Sequence, residues 1–280
     1  MNRLQGKIAI VTGTTSGIGK RTAEMFHAEG AVVVMGARRE KEGRALEAAL
    51  GARAHFLPAD VTKEADVKAL VDFAVSKYGR LDVIFNNAGG PAPIGGIAGI
   101  PIEGVERAMA VLFNSVLLGM KHAAPVMTKQ RSGSIISNGS VAGLRAGLSS
   151  SMVYSAAKAA VIHFTRCVAM ELGPHNVRVN TVSHGGIATG IFGKALGLDV
   201  EAAEKTADMV KQGLAQMQPI PRAGLVDDIA SAALFLASDE SSFINGHDLV
   251  VDGGVIGGRP WAQLTAALDG MRGAFGIKKG

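Results

Sequence analysis

The chain is expected to fold as α/β, a doubly wound parallel sheet of about seven strands with helices on both faces. Three observations carry that expectation. Short apolar, β-branched runs alternate with segments of helical period from one end of the chain to the other. The strand runs are almost continuously apolar rather than alternating, as befits strands covered on both faces. The 37 glycines among 280 residues supply the tight turns that repeated strand-to-helix connections need.

The elements follow in order. "KIAIVTG" (7–13) is a buried strand, and residues 17–29 form a helix. "AVVVMG" (31–36) is a β-branched strand, followed by a helix over 41–50 and a short strand over 54–57. Residues 63–78 make an amphipathic helix, with Ala65, Val67, Leu70, Val71 and Ala74 near one side. "LDVIFN" (81–86) is a strand. A long helix spans 102–127, and Pro125 is expected to end or bend it. "GSIISN" (133–138) is a strand, 152–172 a helix, "VRVNTV" (177–182) a strand, 226–238 a helix, and "GHDLVVDGG" holds the last strand. No linker or internal repeat interrupts the pattern, so residues 1–258 are read as one catalytic domain. In such sheets ligands bind beyond the carboxyl ends of the strands, where the strand order reverses.

Composition narrows the function. With 48% apolar and 19% charged residues the chain can build a large core. The net charge of +5, from 29 basic and 24 acidic residues, is spread along the chain, without the basic stripe a nucleic-acid surface needs. A small ligand bearing a few phosphates matches it better. The single cysteine, Cys167, excludes an internal disulfide, and no metal-ligand spacing of Cys and His is present. Cys167 lies in an apolar helical run and is expected to be buried. The start of the chain has no signal pattern, and no run of 18 apolar residues occurs. The expectation is a soluble, cytoplasmic protein without a membrane span.

The first strand ends in "TGTTSGIG" (12–19). Gly13 lets the chain turn off the strand. Gly17 and Gly19, flanking Ile18, remove side chains where backbone must approach a pyrophosphate at a helix N-terminus. Thr15 and Ser16 add hydroxyl donors. Further along, "YSAAK" places Tyr154 and Lys158 four residues apart on one helix face. Alone, such a pair is only a helix face.

Taken together and in this order, "TGTTSGIG", "NNAG" (86–89) and "YSAAK" resemble the short-chain dehydrogenases/reductases, over about residues 5–255. The resemblance implies a Rossmann-type fold, a nicotinamide dinucleotide cofactor and a catalytic tetrad, here Asn114 in "VLFNSV", Ser140 in "ISNGSVAG", Tyr154 and Lys158. It implies hydride transfer between the cofactor and a carbonyl or secondary alcohol, with Tyr154 as general acid/base. A free phenol titrates near pH 10, too high to cycle easily at neutral pH. A lysine ammonium about 5 Å away would favour the phenolate by roughly 3 kcal/mol. Ser140 would hold the substrate oxygen. Asn114 would hold a water in a proton relay, and Lys158 would bind the nicotinamide ribose.

The same resemblance assigns the cofactor-binding set. It comprises Gly13, Thr15, Ser16, Gly17, Ile18 and Gly19 in the loop, Asp60 and Val61 at the adenine, and Asn87, Ala88 and Gly89 along the cofactor. Tyr154, Lys158, Ile187 and Thr189 lie at the nicotinamide. At the end of the second strand, where an acid would grip a ribose 2′-hydroxyl, the chain has Ala37 followed by Arg38 and Arg39. An arginine fork suits a 2′-phosphate, so NADP is expected through Arg38, with NAD as the alternative.

The chain departs from the family pattern after the sixth strand. "SHGGIATG" has His184 where proline is usual, so a φ-fixing residue is missing. His184 is read either as structural or as a substrate contact, and His122 and His163 as plain helix residues. Residues 190–222, with Phe192, Leu196, Leu198, Met209, Val210, Leu214 and Met217, are expected to form a substrate lid suited to an apolar or cyclic molecule. Residues 259–280 form a C-terminal extension in which Trp261, Leu264, Leu268, Met271 and Phe275 recur at helical spacing. The family implies a homo-oligomer, a dimer or tetramer. Three alternatives stand beside the reductase: an NAD-dependent dehydrogenase of a cyclic alcohol or diol, a dinucleotide-binding regulator without catalysis, and an epimerase or dehydratase that shares the Tyr–Lys pair.

Overall fold

In the computed structural model, residues 2–277 are described. Seven strands lie among them: β1 (Ile8–Thr12), β2 (Val32–Ala37), β3 (Ala54–Pro58), β4 (Val83–Asn86), β5 (Gly133–Ser140), β6 (Val177–His184) and β7 (Asp248–Val251). They form one sheet in the order β3-β2-β1-β4-β5-β6-β7, and every pairing is parallel. The chain runs outward from β1 to β3 and then returns to β4, on the other side of β1. The sequence order therefore reverses between β1 and β4, and the crevice there opens at the carboxyl ends of both strands.

Alternate residues of the strands feed two cores. Ala9 and Val11 of β1 face one side, where they pack with Phe26 of α1 (Gly17–Ala28), Leu46 of α2 (Glu40–Leu50) and Ile229 of α10 (Val226–Ala237). Ile8 and Ile10 face the other, with Leu70 of α3 (Glu64–Tyr78), Met120 of α5 (Ser115–Gln130) and Val161 of α6 (Met152–Leu172). This is why the strands read as unbroken apolar runs. Asp82 sets the entry to the sheet: its carboxylate accepts the Ile8 N–H at 2.8 Å and pairs with Arg80 at 2.5 Å.

Several expectations are corrected. β5 and β6 each run two residues further than expected, which puts Ser140 directly opposite His184 in the ladder. The long helix is interrupted well before Pro125. α4 (Ile102–Met109) gives way to a π-helical segment, Ala110–Asn114, and α5 then continues through Pro125 to Gln130. Buried Ala123 and Met127 on either side of Pro125 hold the helix against the core, so packing outweighs the missing hydrogen bond. Ala65 lies on the exposed side of α3.

Cys167 is exposed, not buried. On α6 it faces outward with His163 and Met170, while Val161, Thr165, Val168 and Ala169 face inward. By length and mean hydropathy (1.3), Ile102–Gln130 is long and apolar enough to cross a membrane, although it holds no unbroken run of 18 apolar residues. Here it carries the π-helical break, and α5 lays Val116, Met120, Ala123 and Met127 onto the sheet.

Beyond β6 the chain forms α7 (Ile191–Ala195), α8 (Val200–Met209) and α9 (Lys211–Ala215) above the crevice. The C-terminal stretch forms α11 (Trp261–Ala274), which buries none of its residues. The last three residues of that expected extension, and the first residue of the chain, fall outside the described residues.

Candidate active site

The crevice between β1 and β4 holds a cavity of about 390 Å³. Its floor is the turn from β1 into α1. Gly13 has φ +75, and a Cβ there would stand 2.9 Å from the Ala88 backbone, so only glycine serves both the turn and the approach. A Cβ on Gly19 would collide with the Gly13 carbonyl and the Asn87 amide. Thr12 ties the two strand ends together. Its hydroxyl accepts from the backbone N–H groups of Asn87 (3.0 Å) and Ala88 (3.1 Å), and its carbonyl accepts from the Asn87 side chain (2.8 Å).

The N-terminus of α1 opens into this cavity with no side-chain cap and no acidic residue in its first turn. The hydroxyl of Thr14, buried in the same turn, has no hydrogen-bond partner among the described residues. Free helix-end N–H groups beside a glycine cradle fit a diphosphate. The residues present therefore fit a dinucleotide.

Each residue expected around a cofactor lines this one cavity: Gly13, Thr15, Ser16, Gly17, Ile18, Gly19, Arg38, Asp60, Val61, Asn87, Ala88, Gly89, Tyr154, Lys158, Ile187 and Thr189. At its far end Ala37 is buried and Arg38 is exposed. Burial pushes the Asp60 carboxyl up, but hydrogen bonds from Thr62 and the nearby Arg38 charge leave it below the usual range. Arg39, which the sequence reading passed over, also lines the cavity. Its Nε donates to the Thr15 hydroxyl at 3.1 Å, and its guanidinium pairs with Glu42 at 3.4 Å. Lys194 of α7 reaches in from above, 3.5 Å from the Ser16 hydroxyl and 2.8 Å from Glu204.

A second, more apolar cavity of about 260 Å³ adjoins the first, and Tyr154, His184, Ile191 and Phe192 face both. Tyr154 stands at the start of α6, where Ser151 caps the helix by accepting the Tyr154 N–H at 3.1 Å. Lys158, one turn on and buried, donates to the Asn138 carbonyl at 2.6 Å. Its Nζ lies 5.6 Å from the centre of the Tyr154 ring. Ser140, at the end of β5, lines the second cavity and shares a hydrogen bond with the Tyr154 phenol.

The charge balance differs from the expectation that Lys158 lowers the phenol. Burial pushes Tyr154 up to about 12, against a smaller downward pull from its hydrogen bond with Ser140. Burial likewise pulls Lys158 down to about 8. The ammonium points at a backbone carbonyl rather than at the phenol oxygen, so desolvation governs both groups here.

Asn114 is the expected site residue that the structure leaves out. It is exposed at the end of the π-helical segment and lines neither cavity, whereas Val111 and Leu112 face the larger one. The wider π turn rotates the helix, so the inward face carries Leu112 in place of an amide.

Comparison with known proteins agrees with this architecture. A family model described as enoyl-(acyl carrier protein) reductase matches residues 13–256. "Short-chain dehydrogenase reductase ATA1" of Arabidopsis thaliana is 43% identical over 258 residues, covering 90% of this chain and 93% of the relative. The chain belongs to the short-chain dehydrogenase/reductase family.

Momilactone A synthase of Oryza sativa subsp. japonica is 44% identical, with 90% and 91% of the two chains covered. The crystal structure of levodione reductase superposes with a TM-score of 0.79 at 30% identity, covering 89% of this chain and 97% of that one. As a short-chain dehydrogenase/reductase, the protein is an NAD(P)-dependent oxidoreductase acting on CH–OH groups of small molecules. Among the residues lining the cavity, sequence reasoning left out Arg39 and Lys194. Arg39 was visible in the "RR" pair. Lys194 carries no local signal, because only the fold of α7 brings it to the glycine loop.

Proposed function

We propose that the protein interconverts a ketone and a secondary alcohol, apolar or cyclic, with NADP(H), and that Tyr154 is the acid/base. The observation that carries this reading is the place of the Tyr154 phenol, where the 390 Å³ dinucleotide cavity meets the 260 Å³ apolar one. When bound, the nicotinamide cofactor supplies or accepts the hydride. Tyr154 and Ser140 hold the substrate oxygen between them, and Tyr154 donates its phenolic proton to that oxygen in reduction. Lys158 has three N–H donors, of which the Asn138 carbonyl takes one, leaving two for ribose hydroxyls. The stretch 190–222 acts as the lid, closing the apolar cavity through Ile191, Phe192, Leu214 and Met217.

The names of relatives support a cyclic substrate. Tropinone reductase-like 1 of Erythroxylum coca and (+)-borneol dehydrogenase 2 of Salvia officinalis are 42% and 40% identical to this chain. Tropinone, borneol and levodione are all ring compounds. The NADP preference rests on Ala37, Arg38 and Arg39. No carboxylate stands at Ala37 to repel a 2′-phosphate, and two guanidinium groups line that end of the cavity. The homo-oligomer belongs to the same reading, with the exposed apolar residues of α11 as its contact, and light scattering tests it.

Calorimetric titration with NADPH and NADH, alongside turnover of a cyclic ketone, tests the proposal. NADPH should bind at least tenfold tighter. Tyr154→Phe should lower kcat by a factor of 10² to 10⁴ with cofactor affinity kept. Retained turnover in that variant would remove Tyr154 from the chemistry.

A further inference from the structure

His184 stands where the chain departs from its family, and its surroundings fix how it presents itself. Its Nδ1 lies 2.8 Å from the Gly185 carbonyl. A carbonyl only accepts, so Nδ1 carries the proton and Nε2 keeps the lone pair. That lone pair faces the Tyr154 hydroxyl at 3.4 Å, its one hydrogen-bond partner among the described residues. Burial, with the Lys158 charge beside it, pulls the imidazole down to about 4 despite the Gly185 hydrogen bond, so the ring is neutral at physiological pH.

A phenol has a single O–H to give. When Tyr154 turns that proton to a substrate carbonyl, Nε2 of His184 is left as a buried acceptor without a donor. An unmet acceptor costs more than a typical hydrogen bond gains, and sites built around such a group discriminate strongly against molecules that fail to fill it. The ladder pairs His184 with Ser140, so the imidazole and the serine hydroxyl flank the phenol from adjacent strands. A substrate oxygen held by Ser140 and Tyr154 therefore has the His184 acceptor beside it, within reach of a hydroxyl on the neighbouring carbon.

We infer that His184 is a specificity-determining residue that accepts a hydrogen bond from a hydroxyl next to the reacting carbon, so that the substrate class is an α-hydroxy ketone, or a vicinal diol in the oxidative direction. This rests on the ketone/alcohol reading above and narrows it. His184 takes no proton in the reaction. Its fixed tautomer offers a neutral acceptor beside Tyr154 and Ser140 in a cavity whose lining also includes Ser149, Ser150 and Gln218.

The test compares 2-hydroxycyclohexanone with cyclohexanone as substrates of the wild type, His184→Phe and His184→Gln. The wild type should favour the hydroxy ketone by about tenfold in kcat/KM. His184→Phe should bring the ratio to about one, and His184→Gln, which keeps a side-chain acceptor, should retain most of it. A wild-type ratio near one, or an undiminished ratio in His184→Phe, overturns the inference. Thermal melts and NADPH titrations of both variants report on folding and the cofactor site. An NMR titration of the cofactor-loaded protein with trans-cyclohexane-1,2-diol and cyclohexanol decides the matter without turnover. Tighter diol binding that disappears in His184→Phe supports the inference even if neither ketone is reduced, and equal binding refutes it. Absence of turnover with both ketones would count against the proposed reaction alone.

Discussion

Lys158 donates to the main-chain carbonyl of Asn138 at 2.6 Å while its Nζ lies 5.6 Å from the centre of the Tyr154 ring. The buried cation is therefore held by β5 and not by the phenol it is meant to serve. Burial alone takes the ammonium from 10.5 to about 8, so at pH 7 the fold carries roughly 3 kcal/mol of strain from this charge. Lys158→Met removes that penalty and leaves one carbonyl unpaired, at a cost of about 1–3 kcal/mol. The melting temperature at pH 7 should stay level or rise, while turnover falls at least about 100-fold. A fall in melting temperature of more than about 5 °C would show that the charge is not penalised.

His184 makes stability depend on acid. Its folded value of about 4 lies below the 6.5 of a solvated imidazole. Between those values the unfolded chain binds the extra proton, so stability falls as pH falls from about 6.5 to 4 and is fully present above that window. The whole effect is roughly 3 kcal/mol. Urea unfolding at half-unit steps should show the slope in the wild type and a flatter curve in His184→Phe; parallel curves would locate the acid sensitivity elsewhere.

The π-helical segment predicts which residue near it matters. Asn114 is exposed and outside both cavities, so Asn114→Ala should change kcat by less than about twofold. Leu112→Ala opens a void in a buried wall of the cofactor cavity and should cost about 2–5 kcal/mol of stability. Steady-state kinetics and melts on the two variants check the pair. A large loss of kcat in Asn114→Ala would mean that the segment rewinds during turnover.

Cofactor choice should follow the end of β2. Ala37→Asp combined with Arg38→Leu places a carboxylate where the cavity now has none and removes one guanidinium. The ratio of NADPH to NADH affinity should drop by at least about 100-fold. If Arg39, held by Thr15 and Glu42, is the principal reader, the drop will be small until Arg39 is also replaced.

Strand and helix positions were legible because each signal was local. β1 and β2 are apolar runs, and α6 begins at Met152 because Ser151 caps it. The cavity-lining set was legible because glycines and strand ends have fixed places in this topology. Asn114 was misplaced for the opposite reason. It was placed by the resemblance of "VLFNSV", and a motif match does not show that Ala110–Asn114 winds wider than 3.6 residues per turn and leaves Asn114 exposed. Cys167 was misread because an apolar run does not say which side of α6 meets the sheet. The tautomer of His184 follows from the Gly185 carbonyl and its neutral state from burial, neither of which any pattern marks.

The wall between the two cavities is shared by Tyr154, His184, Ile191 and Phe192. Molecules in the two spaces would touch the same side chains, and any coupling between their affinities is reciprocal. Whatever factor the first occupant contributes to binding of the second, the second returns to the first.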